Sequence, residues 1–184
     1  MSDVVVVDYG AGNTRSVRTS LARLGVSSEV SSSPDDVRRA RLVILPGVGS
    51  ARSAMDHLNE TGVDLALNDR FLAGDALLGI CLGMQLALET SEEDGGVQGL
   101  GILKGAVTRM REDRVPRLGW AVVDPWGETY YFAHSFAAES PDMVATSDGV
   151  TAAVQHESFL GVQFHPEKSG AAGLKFLERC LSRA

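Results

Sequence analysis

Two short stretches of this chain, Val4–Val7 and Leu42–Leu45, are apolar at every position. A strand with one face in water alternates polar and apolar residues. An unbroken run therefore calls for cover on both faces, as in the centre of a parallel sheet. Helical signals fall between such runs. The turn Gly10-Ala11-Gly12 precedes a pattern with Val17, Leu21 and Leu24 on one face, closed by Gly25. Ser33-Pro34-Asp35-Asp36 supplies an N-cap, a proline at the first helical position and early acids, which start a short helix. One or two helices span 51–73. Ala76-Leu77-Leu78 then leads a strand into Cys81, and a helix is expected from 82 to about 89. In the second half the expected strands are 105–110, 121–123, 129–133, 143–145, 152–155 and 160–164, before a last helix from about 169. This rhythm predicts an α/β fold: an open, mostly parallel sheet with helices on both faces and extra antiparallel strands in the second half. Ligands in such sheets bind beyond the carboxyl ends of the strands, where Pro46, Cys81 and His165 all fall.

Bulk properties narrow the function. At 184 residues, 44% of them hydrophobic, one domain spanning 1–184 with a sizeable core is expected. No apolar run reaches the length of a membrane span, and Met1-Ser2-Asp3 lacks a basic start, so a cytoplasmic location is expected. A net charge of −7 counts against nucleic acid as a partner. Three lysines (104, 168, 175) against 14 arginines fit a salt-adapted or GC-rich source. Two cysteines are too few for a disulfide framework, and Cys180, among Leu174, Leu177 and Leu181, reads as a core or boundary residue. No His/Cys cluster has metal spacing, so neither a metal nor another cofactor is expected.

Gly79-Ile80-Cys81-Leu82-Gly83 has the pattern of a nucleophile elbow, with sulfur where G-x-S-x-G carries a hydroxyl. A strand feeding straight into a helix turns sharply, so the nucleophile takes a strained conformation and its neighbours must be small. The following helix aims its N–H groups at the thiol, and the Leu82 amide becomes an oxyanion donor. A buried structural cysteine is the alternative. Gly161-Val162-Gln163-Phe164-His165-Pro166-Glu167 supplies what a catalytic thiol needs: a histidine base at a strand end and a nearby carboxylate to orient it. A surface histidine beside a solvated glutamate is the competing reading, and the elbow weighs against it. Gly10-Ala11-Gly12 lacks the third glycine of a dinucleotide fingerprint, since Arg15 occupies that position, and reads as a tight turn. Pro46-Gly47-Val48-Gly49 is too short for a phosphate loop, but its glycines let a backbone amide point into a site or flip out of it.

Gly79-Ile80-Cys81-Leu82-Gly83-Met84-Gln85, taken with Phe164-His165-Pro166-Glu167-Lys168-Ser169, resembles the class I (triad) glutamine amidotransferases, a flavodoxin-like family. Four further segments carry the resemblance nearly end to end: Val7-Asp8-Tyr9-Gly10-Ala11-Gly12-Asn13, Pro46-Gly47-Val48-Gly49, Val115-Pro116-Arg117-Leu118-Gly119-Trp120 and Tyr130-Tyr131-Phe132-Ala133-His134-Ser135-Phe136. They narrow the resemblance to the branch of histidine biosynthesis, whose glutaminase is a separate subunit. The resemblance implies that glutamine is hydrolysed to glutamate and that ammonia passes to a cyclase (synthase) subunit in a heterodimer. Cys81 would attack the amide carbonyl, His165 would move protons and Glu167 would orient it. The amides of Val48 and Leu82 would hold the oxyanion. Gly47, Gly49, Gln85, Glu93, Ser135 and Phe136 would line the pocket for the amino-acid end, with Glu92 the rival of Glu93. His134 is given a packing role, and His57 and His156 read as surface or boundary residues. Trp120 faces either the partner or the core.

The chain departs from the family pattern at Arg117, often His, at Ala121, often Asn, and at Phe136, often Tyr. A clipped loop near Pro125-Trp126-Gly127 shortens it. Two other readings compete: an amidotransferase subunit for anthranilate, aminodeoxychorismate or pyridoxal phosphate synthesis, and an inactive regulatory module. Gly119-Trp120 and the Tyr-Phe-Ala-His134-Ser135 segment count against the first, and the intact Cys81, His165 and Glu167 against the second. The glycines around Val48 further imply an isolated chain that is nearly inactive.

Overall fold

The structure, a computed structural model, describes residues 3–110 and 115–184; Met1 and Ser2, read above for a targeting signal, lie outside the described residues. The first half runs β1 (Val4–Val7), α1 (Thr14–Arg23), β2 (Ser28–Ser31), α2 (Pro34–Arg39), β3 (Leu42–Leu45), α3 (Ala51–Thr61), α4 (Val63–Ala73), β4 (Leu77–Ile80) and α5 (Leu82–Gln85). Strands dominate the second: β5 (Thr90–Ser91), β6 (Val97–Gln98), β7 (Ala106–Arg109), β8 (Arg117–Val122), β9 (Thr129–His134), β10 (Phe136–Glu139), β11 (Met143–Ser147), β12 (Val150–His156) and β13 (Phe159–Val162). Helix α6 (Gly170–Arg183) closes the chain.

Seven strands form the main sheet in the order β11-β12-β13-β4-β3-β1-β2. Every pairing from β13 to β2 is parallel, and β11 and β12 add antiparallel at one edge. A four-stranded sheet (β10-β7-β5-β6) and the pair β8–β9 complete the α/β fold expected from the sequence. Burial accounts for the apolar runs. Val4 and Val6 pack with Val17 and Leu21 of α1 and with Phe176 and Leu177 of α6. Val5 and Val7 pack on the other face with Met55, Leu58 and Leu67 of α3 and α4. Covered on both sides, the strand has no position for a polar side chain.

Local chemistry sets the boundaries. Ser33 caps α2 by accepting from the Asp36 amide, and Gly62, at φ +72°, separates α3 from α4. Helix α5, expected to reach about 89, stops after one turn. The amides of Ala87 and Leu88 fall back to the i−3 carbonyls of Met84 and Gln85, and the Glu89 amide donates to the Gly105 carbonyl, so the i→i−4 ladder ends. The carbonyls of Leu86, Ala87, Leu88 and Glu89 accept from the amides of Leu100, Leu103, Gly101 and Gly99. Strand β2 is an edge strand of partly buried residues paired only to β1, which a Ser-Glu-Val-Ser sequence satisfies without an apolar signature. Strand β8 is longer than the expected 121–123, and β10 was not expected.

Arg70 of α4 is a charged side chain only 2% exposed. Its guanidinium donates to the carbonyls of Val37, Arg38 and Ala40 at 3.1, 3.3 and 2.7 Å, and to those of Arg41 and Ala76 at 3.3 and 3.1 Å. It therefore ties the end of α2 to the starts of β3 and β4, two strands whose far ends carry the site. Among the described residues, no helix is long and apolar enough to cross a membrane.

Candidate active site

Strand β4 ends at Ile80 and the chain turns at Cys81, whose backbone lies at φ +49°, ψ −107°. Such a conformation costs on the order of 1–3 kcal/mol in a non-glycine residue and persists only where its surroundings fix it. Here the Cys81 amide donates to the Val162 carbonyl at 2.7 Å, and the amides of Met84 and Gln85 donate to the Cys81 carbonyl at 3.1 Å each. The flanking glycines permit the fit: a Cβ on Gly83 would lie 2.1 Å from the Leu45 oxygen, and one on Gly79 2.7 Å from the Met84 backbone. Because β3, β4 and β13 are neighbours, Cys81 stands between the Pro46–Gly49 loop and His165, all at the carboxyl end of the sheet.

His165 Nδ1 lies 2.8 Å from Glu167 Oε1, and each of the two side chains is 1% exposed. The loop holding them is pinned by the His165 amide donating to Tyr131 O at 2.8 Å and by Ser169 Oγ donating to His165 O at 2.6 Å. Burial works to lower the His165 pKa, but hydrogen bonds to Cys81 and Glu167, with the charges of both, lift it to about 9. A cationic imidazole beside sulfur is the charge partner that a thiolate needs. His134 behaves oppositely. Burial, with the charges of Arg117 and His165, pushes it down to about 4, against the bond to the Phe136 carbonyl. It is a neutral ring whose Nδ1–H donates to Phe136 O at 2.9 Å.

A cavity of about 270 Å³ opens at the thiol. Gly47, Val48, Gly49, Leu82, Gln85, Glu93, Ser135 and Phe136 all line it, so the structure brings together the pocket residues read from the sequence. Pro116, Leu118, Ala133 and His134 complete the wall, while His165 and Glu167 are buried without lining it. Between the rival carboxylates, Glu93 faces the cavity and accepts from the Ala51 amide at 3.3 Å, whereas Glu92 turns to the Arg109 amide at 2.8 Å. Burial raises the Glu93 pKa, and the Asp94 charge adds to the rise.

Three side chains acquire places that the sequence did not assign. Tyr9, buried, donates its hydroxyl to the Pro46 carbonyl at the root of the glycine loop. Burial raises its pKa above the phenol range, the Cys81 charge adds to this, and the nearby Val48 N–H opposes it. Gln163, fully buried, donates from Nε2 to Cys81 Sγ at 3.4 Å and accepts from Gln85 Nε2 at 3.0 Å. A glutamine between Val162 and Phe164 in an apolar strand end was the available signal, since a buried amide must find partners. Trp120 is no core residue. With Leu118 and Val122 it forms an exposed apolar row along β8, at 58%, 65% and 49% exposure.

Two larger clefts, about 510 and 400 Å³, lie against Cys180 at the opposite end of the sheet. Burial pushes the Cys180 thiol up to about 12, which keeps it protonated near neutral pH. Among the described residues, no group of three His, Cys, Asp or Glu side chains is placed to hold a metal ion.

The fold and this cysteine-centred site lead to one class: residues 5–184 match the family Glutamine amidotransferase class-I, and the chain belongs to it. A solved structure described as "Crystal structure of glutamine amidotransferase" shares the fold, with a TM-score of 0.80 at 20% identity over 97% of each chain. Within the family, the chain is 42% identical over 181 residues to the Imidazole glycerol phosphate synthase subunit HisH of Exiguobacterium sibiricum, covering 95% of this chain and 92% of that one. The HisH subunit of Bacillus subtilis (strain 168) is 40% identical over 195 residues, at 94% and 92% coverage. A longer protein, Imidazole glycerol phosphate synthase hisHF, chloroplastic, of Arabidopsis thaliana, is 39% identical over 98% of this chain, which spans 34% of it.

Proposed function

We propose that this chain is the glutaminase subunit of an imidazole glycerol phosphate synthase. It hydrolyses glutamine to glutamate and ammonia, and a cyclase subunit uses the ammonia to make imidazole glycerol phosphate and aminoimidazole carboxamide ribotide in histidine biosynthesis. One observation carries the chemistry: a strained cysteine stands over a cavity, beside a buried His165–Glu167 pair at 2.8 Å from the adjacent strand. Relatives at about 40% identity over nearly the whole chain support the pathway. Residues 1–184 act as one amidotransferase domain, in the cytoplasm, as half of a heterodimer.

Glutamine enters the cavity with its α-ammonium toward Glu93 and its side-chain amide over Cys81. The thiolate attacks the amide carbon, forming a C–S bond, and the oxygen takes the negative charge. The amides of Leu82 and Val48 stabilise that oxyanion, a contribution that typically reaches a few kcal/mol per donor. The proton on His165 goes to the leaving nitrogen, the C–N bond breaks, and ammonia departs. His165, now neutral and oriented by Glu167, takes a proton from water as it attacks the thioester, and glutamate is released with the thiolate restored.

The glycines flanking Val48, with Gly49 at φ +124°, let its amide turn away from the site, which supports the expectation that the lone chain is nearly inactive. The partner docks on the apolar row of Leu118, Trp120 and Val122 at the cavity mouth, where Leu118 already forms part of the wall. Glutamate release is measured with the chain alone and with the cyclase subunit plus its phosphoribulosyl-formimino substrate. Release is expected to rise strongly in the mixture, and Cys81→Ala to abolish it while partner binding persists. Wild-type turnover by Cys81→Ala, or no release in either condition, sinks the reading.

A further inference from the structure

We infer that Gln163 is a catalytic residue of this site: its carboxamide N–H holds and stabilises the Cys81 thiolate, and its orientation is dictated by Gln85. The inference rests on the glutaminase reading above and adds a fourth side chain to Cys81, His165 and Glu167.

A carboxamide can present either nitrogen or oxygen to a neighbour, so a role for Gln163 as donor depends on what fixes its polarity. A backbone carbonyl fixes it. The Phe136 oxygen can only accept, so the end of Gln85 that meets it at 2.9 Å is Nε2. The second hydrogen on that nitrogen points to Gln163 at 3.0 Å, where only an oxygen can receive it. Gln163 must then turn its Nε2 toward Cys81 Sγ, which it meets at 3.4 Å. The chain Phe136 carbonyl, Gln85, Gln163, sulfur thus runs in one direction and ends in a donor. Gln163 is fully buried and Gln85 nearly so, so water does not compete for these groups.

A donor aimed at sulfur does more for the thiolate than for the neutral thiol, because hydrogen bonds to a charged acceptor are the stronger ones. The thiol can instead give its own proton toward the Ala133 carbonyl, at a longer 3.9 Å. The ionisable groups that face the sulfur are His165, from the loop after β13, and Tyr9, from the loop after β1. His165 supplies the positive charge but must give up its proton when ammonia leaves. Gln163 is uncharged and its N–H stays in place throughout, so it keeps the sulfur stabilised when the thioester breaks and thiolate is the leaving group. Gln85 lies between the cavity and this donor, which makes it a positioning residue as well as part of the pocket wall.

The test uses the full chain with its cyclase partner and saturating partner substrate. Gln163→Met keeps the length and removes the donor; Gln163→Glu keeps the shape and sets an acceptor against sulfur. Both are expected to lower kcat by about ten-fold or more with KM little changed, the scale for losing one hydrogen bond to a charged group. Both should also slow iodoacetamide alkylation of Cys81 near neutral pH and move its pH profile to the alkaline side. In the wild type, the Gln163 carboxamide 1H–15N signals should move when Cys81 is alkylated, a readout that holds even if the variants do not fold. Folded variants with wild-type kcat and alkylation profile would overturn the inference, as would carboxamide signals indifferent to the state of the sulfur. A wild-type complex that releases no glutamate would instead overturn the glutaminase reading itself.

Discussion

Gly47→Ala probes the glycine loop at its tightest point. A Cβ there would lie 1.8 Å from the Ile80 oxygen, 2.6 Å from its carbonyl carbon and 2.8 Å from the Cys81 Cβ. No side chain can rotate away, because the obstruction is the backbone of the elbow itself. Relief to ordinary contact requires more than an ångström of movement. Strand β4 is paired on both sides, to β3 and β13, whereas Val48 next door is partly exposed, so the loop is what moves. That displaces the Val48 amide from the oxyanion position proposed for it. A misplacement of about 1 Å costs on the order of 100-fold in rate, close to 2.7 kcal/mol of transition-state stabilisation. Overpacking also lowers stability by roughly 1–3 kcal/mol. The assay is glutamate release in the complex, read beside the rate of Cys81 alkylation, which uses no oxyanion donor. The expected pattern is a deep loss of kcat/KM for glutamine with the thiol still reactive. Unchanged kcat/KM would refute the placement of the loop, and loss of both activities together would mean that the elbow, not the loop, gave way.

Arg70→Met should cost roughly 3–5 kcal/mol in urea unfolding, since it removes five hydrogen bonds to buried or part-buried carbonyls, of which Ala76 O keeps the Val43 amide as a donor. A variant as stable as the wild type would show that those carbonyls find other partners. His134 predicts an acid-side loss of stability. Its folded pKa of about 4 lies below its ordinary 6.5, so as the pH falls from 6.5 to 4 the unfolded chain takes up a proton that the folded chain refuses. Stability should fall there by about 1.4 kcal/mol per pH unit more steeply than in His134→Asn, which keeps a donor for Phe136. Identical slopes would falsify the assignment of a neutral buried ring. His165 has the opposite sign: raised to about 9, its contribution is full below 6.5 and is lost as the pH climbs through 9, so the two windows do not overlap.

The parts of this molecule legible in its sequence are those decided by neighbours in sequence or by strict burial. Val4–Val7 and Leu42–Leu45 announce central strands because both faces are covered, and Ser33-Pro34 announces a helix start because capping is local. The elbow glycines announce Cys81 because the turn admits nothing larger. What escaped depends on contacts across the chain. Tyr9 meets Pro46 and Gln163 meets Cys81 at sequence separations of 37 and 82, and nothing local says which partner either will meet. The early end of α5 comes where the amides of Ala87 and Leu88 turn to i−3 carbonyls and the Glu89 amide goes to distant Gly105. Edge strand β2 needs no apolar face, so it leaves no pattern. The choice between Glu92 and Glu93 turned on the path of a single turn, which spacing alone does not resolve.

The adjacency of β13 and β4 has a consequence for folding. Those two strands pair in parallel, yet everything from α5 to β12 is threaded between them in the chain. Contacts so distant in sequence form late, because the loop-closure entropy must be met before pairing repays it. On the ribosome the Cys81 turn emerges well before His165 has been synthesised. A nascent or incomplete chain thus holds a sulfur with no imidazole to charge it and no Gln163 to hold it. On the triad proposed above, full activation of the thiol waits for the final strand and the loop after it, so the order of synthesis delays it until the chain is nearly finished.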